Sequence, residues 1–114
     1  MTRGMLRATL SMAGLLVSLA SQGSTAVTAR VLSFGTYGNG NVYVALDQSI
    51  DEAGCTRSGF ELAADSAAAK AVLATAALAV AAGTTVTIQT DGCLNGAPSF
   101  TGARAAYFIA NSQS

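Results

Sequence analysis

Cys55 and Cys93 are the residues of this 114-residue chain with the plainest covalent chemistry. They are its only cysteines, and they stand far apart, whereas a redox-active pair sits close together, as in Cys-x-x-Cys. A structural disulfide is therefore the expectation, provided that the chain meets an oxidising compartment. Residues 1–26 point to one. Arg3 and Arg7 precede an apolar run from Ala8 to Ala20, and Ser24 and Ala26 hold the small-residue positions of a cleavage site. Val27-Thr28-Ala29 also satisfies the rule, but Ala26 leaves the next segment whole. The expected organisation is a signal peptide over 1–26 and a single domain over 27–114, secreted or periplasmic. The apolar run is shorter than the roughly 20 residues that span a bilayer.

Other chemistry is sparse. The chain has no histidine, which removes Ser-His and Cys-His nucleophilic systems and the common zinc sets. Lys70 falls in a helical stretch and reads as solvent-facing. Asp47, Asp51 and Glu52 offer oxygen ligands but not at calcium-loop spacing, so they read as a solvated acidic loop. Gly35, Gly38 and Gly40 lie between two strands rather than before a helix, so they read as turn residues and not a phosphate cradle. No catalytic residue, metal ligand or cofactor is assigned, and the chain reads as a non-enzyme. After residue 26 four basic residues face six acidic ones, a net charge of −2. With no basic patch, nucleic acid and anionic lipid are not expected partners.

These residues need elements to place them. Val27 to Tyr37 reads as a strand whose apolar parity changes partway, with Gly35 as its bend. Gly38 to Asn41 is a hairpin turn. Val42 to Asp47 returns with Val42, Val44 and Leu46 inward. A short strand follows at Gly59 to Leu62, with Phe60 as its anchor. Ala64 to Ala82 reads as the one helix, capped by Asp65 or Ser66 and closed by Gly83, with Leu73, Ala76, Ala77 and Val80 facing inward. Thr84 to Thr90 alternates with Val86 and Ile88 inward, Asp91 to Phe100 is a turn-rich loop, and Ala103 to Ala110 is a last strand, apolar on both faces. A domain of this size is marginal on burial alone, so the disulfide matters. Chain-entropy reasoning assigns it roughly 3–4 kcal/mol.

The order of elements, with Gly54-Cys55, Phe60-Glu61-Leu62 running into the helix, and Gly83-Thr84-Thr85-Val86-Thr87-Ile88 running on to Gly92-Cys93, resembles small exported bacterial proteins similar to the B subunit of subtilase cytotoxin. The resemblance implies a mainly β fold, a five-stranded barrel of the oligonucleotide/oligosaccharide-binding (OB) type with one helix. It also implies a homopentamer that binds cell-surface glycans. Tyr37, Asn39, Asn41 and Tyr43 are the candidate ligand-binding residues, since aromatic faces and amides are usual sugar contacts, although the same residues also suit an ordinary hairpin. Two functional classes stand side by side: a glycan-binding module, and a periplasmic structural or inhibitor-like domain that binds a protein through a sheet edge.

Overall fold

The computed structural model describes residues 26–112. All but the last residue of the expected signal peptide lies outside them. The described chain is mainly β, with eight strands and one helix: β1 (Val27–Ala29), β2 (Val31–Thr36), β3 (Val42–Leu46), β4 (Phe60–Leu62), α1 (Ala69–Ala82), β5 (Val86–Gln89), β6 (Gly92–Leu94), β7 (Ala97–Ser99) and β8 (Tyr107–Ala110). They form three antiparallel sheets, ordered β1-β5-β8, β2-β3-β4 and β6-β7.

The expected first strand is split in two. Arg30 interrupts it, and its backbone N–H and side chain turn to Asp47 Oδ1 and Gly83 O. Between Val31 and Ser33 the register with β3 slips by one, leaving Leu32 bulged outward and 66% exposed. One extra residue reverses every later side chain. Val27, Ala29 and Val31 therefore face inward before the bulge and Phe34 after it. The parity change in the sequence is real, but its hinge lies at residues 30–32 and not at Gly35.

The expected closed five-stranded barrel does not form. β1 and β2 join two sheets through one continuous run, but no ladder links β4 to β8. Two local features prevent it. Asn95 (φ +53) and Gly96 (φ +82) make a two-residue turn, so the expected loop at 91–100 becomes its own hairpin, β6–β7, which lies against β4. Asp91 then holds the backbone N–H groups of Thr101, Gly102 and Arg104. That leaves only four residues for the last strand. β8 buries Phe108 but exposes Tyr107 and Ile109, so it is not apolar-covered on both faces.

The helix begins at Ala69, not near residue 64. Ala64 to Ala68 form turns instead. Asn41 Oδ1 takes the Ala64 N–H, and Ser66 Oγ takes the Ala68 N–H from outside the helix, which has no side-chain cap. Its end is as expected: Gly83 adopts φ +72 and donates back to the last turn. The buried face is Ala69, Val72, Ala76 and Ala79, with Leu73 beside it. Ala77 and Val80 point outward, a correction to the expected stripe. Beneath the helix Val42, Val44, Leu62, Val86 and Ile88 surround Phe60, whose ring meets Phe100 at 4.9 Å and Phe108 at 5.7 Å. Burying a phenylalanine of this kind contributes about 2–3 kcal/mol.

Candidate functional site

The Cys55–Cys93 disulfide is formed, joining the loop before β4 to β6. It ties together two segments that contribute Arg57 and Asn95 to a polar cluster at the surface.

That cluster is built on the β2–β3 hairpin. Tyr37 O accepts from Gly40 N–H at 2.9 Å and Tyr37 N–H donates to Asn41 O at 2.8 Å, closing a three-residue turn. Asn39 Oδ1 accepts the Asn41 N–H at 3.0 Å, so its side chain shapes the turn. Asn41 donates through Nδ2 to Glu61 Oε2 at 3.1 Å and accepts from Ala64 N–H at 3.0 Å through Oδ1, clamping the hairpin to the end of β4. Tyr43 stands opposite Gly35 and Glu61 in the ladders, and a β-carbon on Gly35 would lie 3.3 Å from its hydroxyl oxygen. Its ring is fixed over that glycine and meets Tyr37 at 5.0 Å between centroids, tilted by 37°. Tyr37 is 41% exposed.

Three residues not among the sequence candidates complete the cluster. Arg57 Nη2 donates to Tyr37 Oη at 3.2 Å, while Nη1 donates to Glu61 Oε1 at 3.0 Å and to Asn95 O at 3.3 Å. Asn95 Nδ2 donates to Glu61 Oε2 at 3.2 Å. Glu61 is thus a buried carboxylate satisfied on both oxygens, from three elements. Burial pushes its carboxyl up, but the hydrogen bonds from Asn41, Asn95 and Arg57 outweigh burial and hold it below the usual carboxylate range. Hydrogen bonding to Tyr37 and Glu61 raises Arg57. The guanidinium is half exposed and keeps two of its five N–H donors uncommitted. A firmly oriented cation with spare donors therefore sits beside an exposed ring.

Two signals in the sequence point to these residues. Arg57 and Glu61 are an opposite-charge pair four apart around Phe60, and Asn95-Gly96 is a strong hairpin dipeptide. Of the four sequence candidates, the structure gathers Tyr37, Tyr43 and Asn41 with this cluster. Asn39 is turned to its own loop.

The other polar groups serve packing. Glu52 is buried, not solvated. It accepts from Thr90 Oγ1 at 2.6 Å and Arg104 Nη2 at 3.1 Å. Asp47 Oδ1 accepts from Arg30 N–H, and Asp51 is exposed. Among the described residues no three metal-ligating side chains come together. A shallow groove of about 320 Å³ lies at the C-terminal end of α1, lined by Leu78, Ala82, Thr84, Ala110, Asn111 and Ser112, and it carries no charge.

The chain matches no family model, no curated protein and no solved structure.

Proposed function

We propose that this protein is an exported, non-catalytic binding module that takes up carbohydrate on the surface made by Tyr37, Tyr43 and Arg57. The observation that carries the reading is the exposed Tyr37 ring, braced by Tyr43 behind it and by the Arg57 guanidinium at its hydroxyl. A sugar ring stacks its C–H face on an aromatic side chain, and its hydroxyls accept from planar, pre-oriented donors. The disulfide accords with a non-reducing compartment. Among the described residues no helix is long and apolar enough to cross a membrane.

The finer fold reading supports the same function. With β1 and β2 as halves of one coiled strand and the β6–β7 hairpin as an insertion, the order is three strands, a helix and two strands. That is the order of an OB-like domain, here with an open seam, an architecture that offers surface loops and strands to a ligand.

An oligosaccharide array probed with the oxidised protein tests the proposal. Binding that drops about tenfold in Tyr37→Ala and in Arg57→Met is the expected result, with both variants folded and Arg57→Met showing a lower thermal midpoint because buried Glu61 loses its cation. Binding that persists in Tyr37→Ala, or none to any sugar, overturns it. The alternative of a protein-binding domain is favoured by one feature. β8 ends its sheet with Tyr107 and Ile109 exposed and no Lys or Pro to guard the edge. A protein partner lost on Ile109→Lys but retained in Tyr37→Ala would select that reading.

A further inference from the structure

The segment from Ala53 to Ser58 lies over the surface as a strap anchored at both ends. Before it, Glu52 is buried and bonded to Thr90 and Arg104; after it, Phe60 enters the core. Within the strap every residue but Cys55 is exposed. The strap's long-range backbone ties converge on one place. Thr56 and Arg57 N–H both donate to Gly96 O, at 2.9 and 2.8 Å, and the disulfide reaches Cys93 in the same hairpin. Ser58 O also accepts from Ile50 N–H at 3.3 Å, and the half-exposed Arg57 side chain bonds Glu61, Asn95 O and Tyr37; water can replace each of these contacts, and the disulfide is the strap's one covalent tie. Both cysteines are only partly buried, within reach of a small thiol.

From this arrangement we propose that the Cys55–Cys93 disulfide is a redox latch on the Tyr37–Arg57 surface. A dithiol reductant opens it by ordinary exchange. One reagent thiolate attacks a protein sulfur, and the other protein sulfur leaves as thiolate. The reagent's second thiolate then displaces the first protein sulfur, giving two cysteine thiols and the reagent's own disulfide. The strap then opens between its anchors and carries Arg57 away from Tyr37 Oη, Glu61 and Asn95 O. Glu61 keeps Asn41 and Asn95, so the β2–β3 hairpin stays clamped while the guanidinium is lost from the surface. The latch stands on this geometry alone. That it gates a sugar rests on the carbohydrate reading above.

Amide hydrogen exchange of the whole protein, oxidised and after dithiothreitol reduction, tests the latch. The expected result is that Thr56 and Arg57 exchange in the reduced protein at nearly the rate of unprotected amides, while Ala64 and the β1-β5-β8 ladder, although faster because global stability falls, keep measurable protection. The double variant Cys55→Ser, Cys93→Ser should give the same pattern without reductant. Unchanged protection at Thr56 and Arg57 overturns the proposal, as does loss of all protection throughout the β1-β5-β8 ladder, which would mean that the disulfide holds the whole fold. On the oligosaccharide array, reduction should weaken binding by about the same factor as Arg57→Met. If neither form binds any sugar the carbohydrate reading fails, and the exchange pattern still decides the latch.

Discussion

A carboxylate buried in a small domain needs an ion-pair or hydrogen-bond partner to stay charged; Glu61 and Glu52 each have an arginine, and Asp91 has three backbone N–H groups. Glu61 and Asp91 both titrate below their ordinary range. For each, burial acts upward and hydrogen bonds act downward more strongly, from side chains at Glu61 and mainly from the backbone N–H groups of Arg104, Thr101 and Gly102 at Asp91. Their folded values lie below the unfolded ones, so the unfolded chain takes up protons first. The stability they contribute is complete above the unfolded carboxylate values and is lost as pH falls through the folded ones. Denaturant midpoints should therefore be level near neutral pH and decline on acidification below about pH 4. Asp91→Asn should lower stability at pH 7 by about 1–3 kcal/mol, since an amide replaces a charged acceptor of three N–H groups. It should also flatten the acid limb, because one titrating group is gone. Midpoints for both proteins at pH 7 and pH 3.5 check the pair of expectations.

The elements depend on a few sites of exact geometry. Gly83 closes α1 in a left-handed conformation, so Gly83→Ala should cost about 1 kcal/mol, read as a lower thermal midpoint with unchanged helix content. Val44 lies in the middle of β3, fully buried and opposite both Phe34 and Phe60. Val44→Asp would bury an unpaired charge and should leave the chain unfolded by circular dichroism. β1 bears on processing. Ala29 is buried and pairs with Val86, so cleavage after it would remove the strand that borders β5. Under the proposal that the chain is exported, N-terminal sequencing of the mature protein should begin at Val27.

On the scale of the whole molecule, the outer face of α1 is unusual. Lys70 is its only charged residue, and Leu78, at 61% exposure, and Val80 stand out from it beside the apolar groove. A helix that faces only water carries more charge than this. Self-association through that face is the outcome this surface predicts. Light scattering at tens of micromolar should show a stable oligomer, and a monomer would refute it. Two neighbouring substitutions separate the faces. Ala76→Glu, on the buried side, should abolish folding, whereas Ala77→Glu, on the exposed side, should only dissociate the assembly.

What the sequence determined by itself is what depends on near neighbours or on a unique partner. With two cysteines, only one pairing exists within the chain, and Cys55 bonds Cys93. The turn at 38–41, the end of α1 at Gly83 and the inward residues of β3 and β5 follow from local dihedral preference and a clear alternation of apolar and polar types. Where side chains offer no contrast, the sequence is silent. In a helix made mostly of alanine, one rotation buries about as much as another, so only packing against β2, β3 and β8 decided that Ala76 and Ala79 point inward and Ala77 and Val80 outward. The same holds for charge. Glu61 and Glu52 look like surface residues in the sequence; Arg57 is near Glu61 in the chain, but Asn95 and Arg104 arrive from distant segments to complete the partners that let both be buried. The open seam between β4 and β8 was likewise decided in three dimensions. The Asn95-Gly96 hairpin and the Asp91 clasp used up chain that a closed barrel would have needed as strand.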